Sequence, residues 1–294
     1  MKQQSKLQQT EIGEIPEDWE VKRIGDFVDI KHGFAFKGEF FTEIPNDNIL
    51  LTPGNFKIGG GFKTEKFKYT TEISPDNYIL KEGDIVVTMT ELSKEGDTLG
   101  YPAKIPSPKG AIKYLHNQRI GLLEFKSESI SKEFIYWSLR NKKYNLLIVG
   151  SATGSTVKHT SPDRIKEYEF GFPKNYSEQQ SIAKILSDLD SKIELNQQIN
   201  KNLERIGQAI FNHWLIDFEF PNVKGKPYKT NDGEMAYNEE LEKDVPVNCD
   251  VKPLDKIADF LNGLPLQKYP AETEDNSLPV IKIRELRQGI TNSS

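Results

Sequence analysis

The feature that most constrains this chain is a repeat at a fixed distance. VKRIGDFVDIKHG (residues 21–33) returns as VKPLDKIADFLNG (residues 251–263), 230 residues later. Identities fall at Val21/Val251, Lys22/Lys252, Asp29/Asp259 and Gly33/Gly263, and apolar residues match at Ile24/Leu254, Phe27/Ile257 and Val28/Ala258. The register continues without a gap to Leu51/Ile281 and Gly59/Gly289. A constant offset with apolar sites retained is the mark of a duplicated unit. The first copy needs everything from about residue 15 to about 244, so the second, starting near Pro246, has fewer than fifty residues before the sequence ends. That is too few to bury a core of its own, and the expectation is one complete unit and the opening of a second.

Within the first copy the periodicity changes twice. NILLTPGNF (48–56), GDIVVTMT (83–90) and AIKYLHNQRIGLLEF (111–125) are short apolar or β-branched runs between Gly, Pro and Asn clusters, a strand-and-loop signal. SKEFIYWSLRN (131–141) opens with an N-cap serine and has helical character, and IKEYEFGFP alternates Tyr168, Phe170 and Phe172 as a half-buried strand does. The segment 15–173 therefore reads as an α+β domain after an N-terminal tail, 1–14. From Ser177, with Gln180 completing a capping box, Ile182, Leu186, Leu189, Ile193, Asn196, Asn200, Leu203, Gly207 and Ile210 recur at steps of four and three. This is a coiled-coil seam. A helix over 178–212 would be about 50 Å long, so it needs a partner helix, and Asn196 and Asn200 in the seam would fix its register. The bland alternative is an amphipathic core helix with two tolerated polar residues.

Charge follows the same division. Residues 51–159 carry 16 Lys/Arg against 11 Asp/Glu, whereas 178–244 carry 8 against 13, so a basic region precedes an acidic helical one despite the net charge of −5. One cysteine, Cys249, excludes an intrachain disulfide, no Cys/His spacing suits zinc, and no apolar run is long enough to span a membrane. A cytoplasmic location is expected.

IPEDWEVKRIGDF, then GSTVKHTSPDRIKEYEFGFP, then EQQSIAKILSDLDSKIELNQQINKNLERIGQAIFNHWLIDFEF together resemble the specificity subunit of type I restriction-modification enzymes. The resemblance covers residues 13–244 and resumes at about 247. It implies a target-recognition domain (15–173), a spacer coiled-coil helix with its conserved tail (174–245) and a truncated start of a second recognition domain (246–294). In such subunits each domain reads one half of a bipartite double-stranded DNA site, and two antiparallel helices set the unread gap and dock the methyltransferase and, through it, the restriction subunit. With one domain and one helix complete, a homodimer through the helix would restore two-fold symmetry. The methyl donor, ATP and magnesium are expected on partner subunits, with no cofactor on this chain.

No catalytic constellation is apparent. There is no GxxxxGK[ST] loop, no Asn-Pro-Pro-aromatic element and no glycine fingerprint after a strand. Pro75-Asp76 with Glu124-Phe125-Lys126 matches a nuclease only in letters. Candidate DNA contacts pair positive charge with hydrogen-bonding groups on loops: Lys57, Lys63, Lys66 and Lys68 around three glycines, Thr88, Thr90, Ser93 and Lys94 beyond a strand, Arg119, and Lys158 with His159 beside small residues. The competing reading is a coiled-coil interaction or scaffold protein that does not bind DNA.

Overall fold

The computed structural model describes residues 6–91, 93, 96–154 and 157–263, with the single positions 268, 281 and 283. Gly289 and nearly all of the second copy beyond Gly263 lie outside the described residues. The chain divides into two compact units, 1–200 and 201–294.

The first unit is mixed α/β. Its strands are β1 (Leu7–Thr10), β2 (Gly13–Pro16), β3 (Trp19–Arg23), β4 (Val28–His32), β5 (Phe41–Thr42), β6 (Asn48–Leu50), β7 (Lys68–Thr70), β8 (Ile79–Leu80), β9 (Ile85–Thr88), β10 (Thr90–Glu91), β11 (Pro102–Lys104), β12 (Lys113–Leu115), β13 (Ile120–Phe125), β14 (Lys158–His159) and β15 (Glu169–Pro173). Its helices are α1 (Ile24–Phe27), α2 (Lys132–Ser138), α3 (Lys142–Gly150), α4 (Pro162–Lys166) and the start of α5 (Tyr176–Phe211). At its centre is an antiparallel sheet in the order β11-β9-β13-β4. Burial on both faces explains why IVVT reads as an unbroken β-branched run and not as an alternation. Val87, Ile30 and Leu123 face a layer of helical residues that includes Phe134, Ile135, Leu139, Tyr144, Ile148 and Ile165. Val86, Ala103 and Ile120 face a second sheet, β5-β7-β6-β12-β8, through Ile49, Leu80 and Tyr114. Each fully buried Leu or Ile in these layers contributes about 1.5–3 kcal/mol.

The ends of the first copy close on each other. β15 pairs antiparallel with β3, Phe170 opposite Lys22 and Phe172 opposite Glu20, and both phenylalanines enter the core with Ile24 and Val28. The alternation of Phe170 and Phe172 is thus that of a strand, as the sequence indicates, with Tyr168 just before its start. Ser131 caps α2 by accepting from the Phe134 amide. Of the residues read as an N-terminal tail, Leu7–Thr10 form β1 and Gly13 and Glu14 open β2, the two strands of a hairpin.

That hairpin extends the repeat. β2 lies 230 residues before β17 (Lys243–Pro246), which pairs with β16 (Met235–Asn238) in the second unit. Ile15 and Val245, equivalent in the repeat register, are both 7% exposed, and Pro16 and Pro246 end the two strands. The duplication thus begins upstream of the residues that first betray it.

α5 runs 36 residues, about 54 Å at 1.5 Å per residue. Its cap differs from the expected Ser177/Gln180 box. Asn175 provides it: its Oδ1 accepts from the Ser177 amide at 2.9 Å and its carbonyl from Glu178 and Gln179, a consequence of the turn out of β15 placing Asn175 where the free amides point. Past Phe211 the backbone widens into a π turn, Asn212–Ile216.

Candidate nucleic-acid interface

Strand register gathers most of the predicted contact residues at one end of the two stacked sheets. β10 pairs with β14, so Thr90 faces His159 and Glu91 faces Lys158. The Met89 amide donates to the Arg119 carbonyl and the Thr160 amide to that of Met89, which brings the Arg119 turn beside the same strands. Lys68 lies opposite Leu50, whose other neighbour is Leu115 at the end of β12. Arg119, Lys66, Lys68 and His159 are exposed, and Ser93, Lys63 and Lys158 are half-buried. Lys94 lies outside the described residues.

Two residues depart from the expectation. Thr88 is fully buried and its hydroxyl donates to the Thr98 carbonyl, because it ends the central strand β9 and is not in the loop beyond it. Thr90, 4% exposed, holds His159 through Oγ1···Nδ1 at 3.2 Å and so orients the imidazole instead of facing solvent itself. Residues 96–100, between β10 and β11, are braced from α3: Asn145 donates to the carbonyls of Gly96 and Leu99, and the Tyr144 hydroxyl to that of Gly100.

The glycine loop turns out to have two sides. Gly59, Gly60 and Gly61 all have positive φ, and the loop closes by Lys57 N–H···O Gly61 at 2.9 Å and is pinned to the sheet by Gly61 N–H···O Pro102 at 2.8 Å. Its inner side faces Arg140, which sequence reasoning missed. The Arg140 Nε–H donates to the Gly59 carbonyl at 3.0 Å, Nη1 donates to Asp190 of α5 at 2.7 Å, and the guanidinium lies 4.4 Å from the Trp137 ring centroid. Burial opposes the Arg140 charge, but the hydrogen bond to Asp190 and the nearby Tyr136 outweigh it and hold the pKa above its ordinary range. Lys57, expected to touch DNA, is paired with Glu194 at 2.5 Å. Lys66 and Lys68 are exposed, and Lys63 is half-buried, 4.0 Å from Glu65.

His116, at the same end, is fully buried. Its Nε2–H donates to the Ile120 carbonyl at 2.9 Å, and Nδ1 has no hydrogen-bond partner. Burial pushes its pKa down to about 4, the Ile120 hydrogen bond and Asp84 opposing, Lys31 and His32 reinforcing. The unfolded chain, with a pKa of about 6.5, takes up a proton that the native state refuses. Stability is therefore complete above pH ~6.5 and falls by ~1.4 kcal/mol per unit as pH drops towards 4. Between pH 7 and 5, urea unfolding should lose about 2 kcal/mol more in the wild type than in His116→Gln; equal losses would show that His116 does not control this slope.

On α5, Gln179 and Ala183 are buried against the first unit. Ile182 belongs to that contact too, packing on the domain's own core. The other seam residues, Leu186, Leu189, Ile193, Asn196, Asn200, Leu203 and Ile210, are exposed. Ile185, Ile199 and Ile206 are exposed as well, and sequence reasoning missed them. Stepping three residues before four from Ile182 gives Ile185, Leu189, Lys192, Asn196, Ile199, Leu203, Ile206 and Ile210, a row that includes Lys192 but is more apolar after Asn196 than one through Asn200 and Gly207, and that count was available from the sequence. Among the described residues no group of three His, Cys, Asp or Glu side chains could hold a metal ion, and no helix is long and apolar enough to cross a membrane.

A family model described as the type I restriction modification DNA specificity domain matches residues 16–205. The type I restriction enzyme MjaIX specificity subunit of Methanocaldococcus jannaschii is 27% identical over 98% of this chain and 62% of its own length. The MjaVIII specificity subunit of the same organism is 29% identical over 70% and 47%. The chain thus spans about half to three-fifths of the length of these relatives. The crystal structure of a type I restriction-modification S subunit from M. genitalium aligns over 67% of this chain and 48% of that one, with 21% identity and a TM-score of 0.41.

Proposed function

The chain belongs to the family of type I restriction-modification DNA specificity domains, and from that premise we propose that it reads one half of a bipartite double-stranded DNA target for a methyltransferase whose chemistry resides on other polypeptides. The observation that carries the reading to particular residues is the gathering of Lys68, Arg119, Lys158 and His159 at one end of the stacked sheets, with Lys63 and Lys66 on the loop that leads to Lys68. These combine charges that neutralise phosphates with donors that reach base edges. Thr88 is removed from the contact set, and Thr90 supports His159, while Ser93, half-buried, follows β10.

The modification subunits and, through them, a restriction subunit would dock on the helical part. The methyl donor, ATP and magnesium would belong to those partners, and the assembly would act in the cytoplasm. A second copy of the chain would cover the exposed apolar row of α5, giving two readers and a palindromic bipartite site. A scaffold that ignores DNA would leave the outward lysines without a role.

Phosphate neutralisation makes affinity fall steeply with salt, with a log–log slope of about −0.9 per contact. Binding to random-sequence duplexes, followed between roughly 50 and 200 mM salt, should show this loss. Replacing Lys63, Lys66 and Lys68 together by Gln should flatten the slope by about 2–3. Salt-independent binding, or none, would favour the scaffold.

A further inference from the structure

We propose that Arg140 is a positioning residue: it locks the glycine loop, and with it the lysines that follow, at one angle to α5, and thereby restricts the gap length that the protein tolerates in its DNA target. The inference rests on the DNA-reading proposal above.

Beyond the contacts at the start of α5, where Trp19 Nε1–H donates to Glu178 and the Ser131 amide to Gln179, three polar contacts tie the domain to one face of the helix: Trp137 Nε1–H to Ser187 Oγ at 2.9 Å, Arg140 to Asp190, and Lys57 to Glu194. Ser187, Asp190 and Glu194 recur at three and four residues, the spacing of a single helical face, and continue the row begun by Gln179 and Ala183. Of the three, only Arg140 bridges everything that must be aligned. Its side chain is 16% exposed, it follows α2, it stacks on Trp137, and its guanidinium bonds the loop with Nε and the helix with Nη1. A lysine has neither the planar stack nor two donors fixed at an angle to each other.

The loop is shaped to receive it. A Cβ at Gly60, where φ is +93°, would lie 2.9 Å from Arg140 Cγ and 3.1 Å from the Pro102 carbonyl. Lys63, Lys66 and Lys68 leave this same loop. The angle at which they meet a groove, relative to the axis of α5, is therefore set where Gly59 meets Arg140 and where Lys57 meets Glu194. DNA advances 3.4 Å per base pair along each strand, so a small swing of the loop admits the neighbouring gap length.

The test is binding selection of the full chain from random-sequence duplexes, followed by sequencing. The wild type should enrich two half-sites at one gap. Arg140→Lys and Asp190→Asn should enrich the same half-sites with neighbouring gaps appearing about tenfold more often, and amide exchange across residues 57–61 should rise. Asp190 is on the helix surface, so its substitution keeps the domain folded even where Arg140→Lys does not. Variants that keep the single gap, or a wild type that selects one half-site without a fixed partner, overturn the proposal. A wild type that enriches no sequence overturns the DNA-reading proposal itself.

Discussion

Gly33→Ala is expected to destabilise the first unit severely. Gly33 follows β4, and a Cβ there would lie 2.1 Å from the Asn117 carbonyl oxygen, 2.2 Å from its carbon and 2.6 Å from the His116 oxygen. All three are backbone atoms, so no rotamer change relieves the overlap. They are also held in place, because the Phe34 amide donates to His116 O at 2.8 Å and the Gln118 amide to Phe34 O at 2.9 Å. Opening this junction separates β4 from the turn into β13 and uncovers Phe36, Leu50 and Leu115. The cost should exceed ~4 kcal/mol, against a total stability for a domain of about 5–15 kcal/mol. Gly38→Ala is the control: nothing lies within 4 Å of its Cβ position, and a change of no more than about 1 kcal/mol is expected. Urea unfolding read by tryptophan fluorescence compares them, and a Gly33→Ala midpoint like that of Gly38→Ala would refute the packing argument. The glycine at residue 33 is thus explained by a close backbone approach, whereas its repeat partner Gly263 has nothing among the described residues within 4 Å of its Cβ position.

The second large effect is on self-association. Ile199, Leu203, Ile206 and Ile210 are 44–60% exposed on a helix and form a row that a second helix would bury, at about 1.5–3 kcal/mol for each side chain fully covered. Ile199→Asp with Ile206→Asp puts two charges into that seam and should weaken association at least ~100-fold, the equivalent of ~2.8 kcal/mol. Asn196→Leu should do the opposite, tightening association or changing its stoichiometry, since a polar seam residue trades stability for register. Sedimentation equilibrium across micromolar concentrations reads both. A wild type that stays monomeric, or a double variant with unchanged mass, would remove the second copy from the proposal.

What could be read from residue order alone was what local pattern determines. Ser131 announces α2, the spacing of Phe170 and Phe172 announces β15, and the three–four rhythm announces α5. The interior position of Thr88 was hidden because a threonine at a strand end looks the same whether the next element covers it or not. The ion pair of Lys57 was hidden for a related reason: its partner Glu194 is 137 residues away, and nothing local distinguishes a lysine aimed at phosphate from one aimed at a carboxylate. Arg140, at the end of an ordinary helical segment, acquires its importance only when Gly59 and Asp190 arrive on either side. The capping residue of α5 moved from Ser177 to Asn175 because the turn after Pro173 sets which oxygen meets the free amides.

The pairing of β3 with β15 has a consequence for synthesis. Trp19–Arg23 must wait for Glu169–Pro173, and at a translation rate of about 5–20 residues per second that wait is roughly 10–30 s. During it Ile24 and Val28 have emerged without the phenylalanines that later cover them, and the edge of β3 is unpaired, a template for unwanted strand addition. A nascent chain with β3 open for this long passes its greatest risk of aggregation before Phe172 is made, and chaperone engagement should concentrate on ribosomes that have not yet translated it.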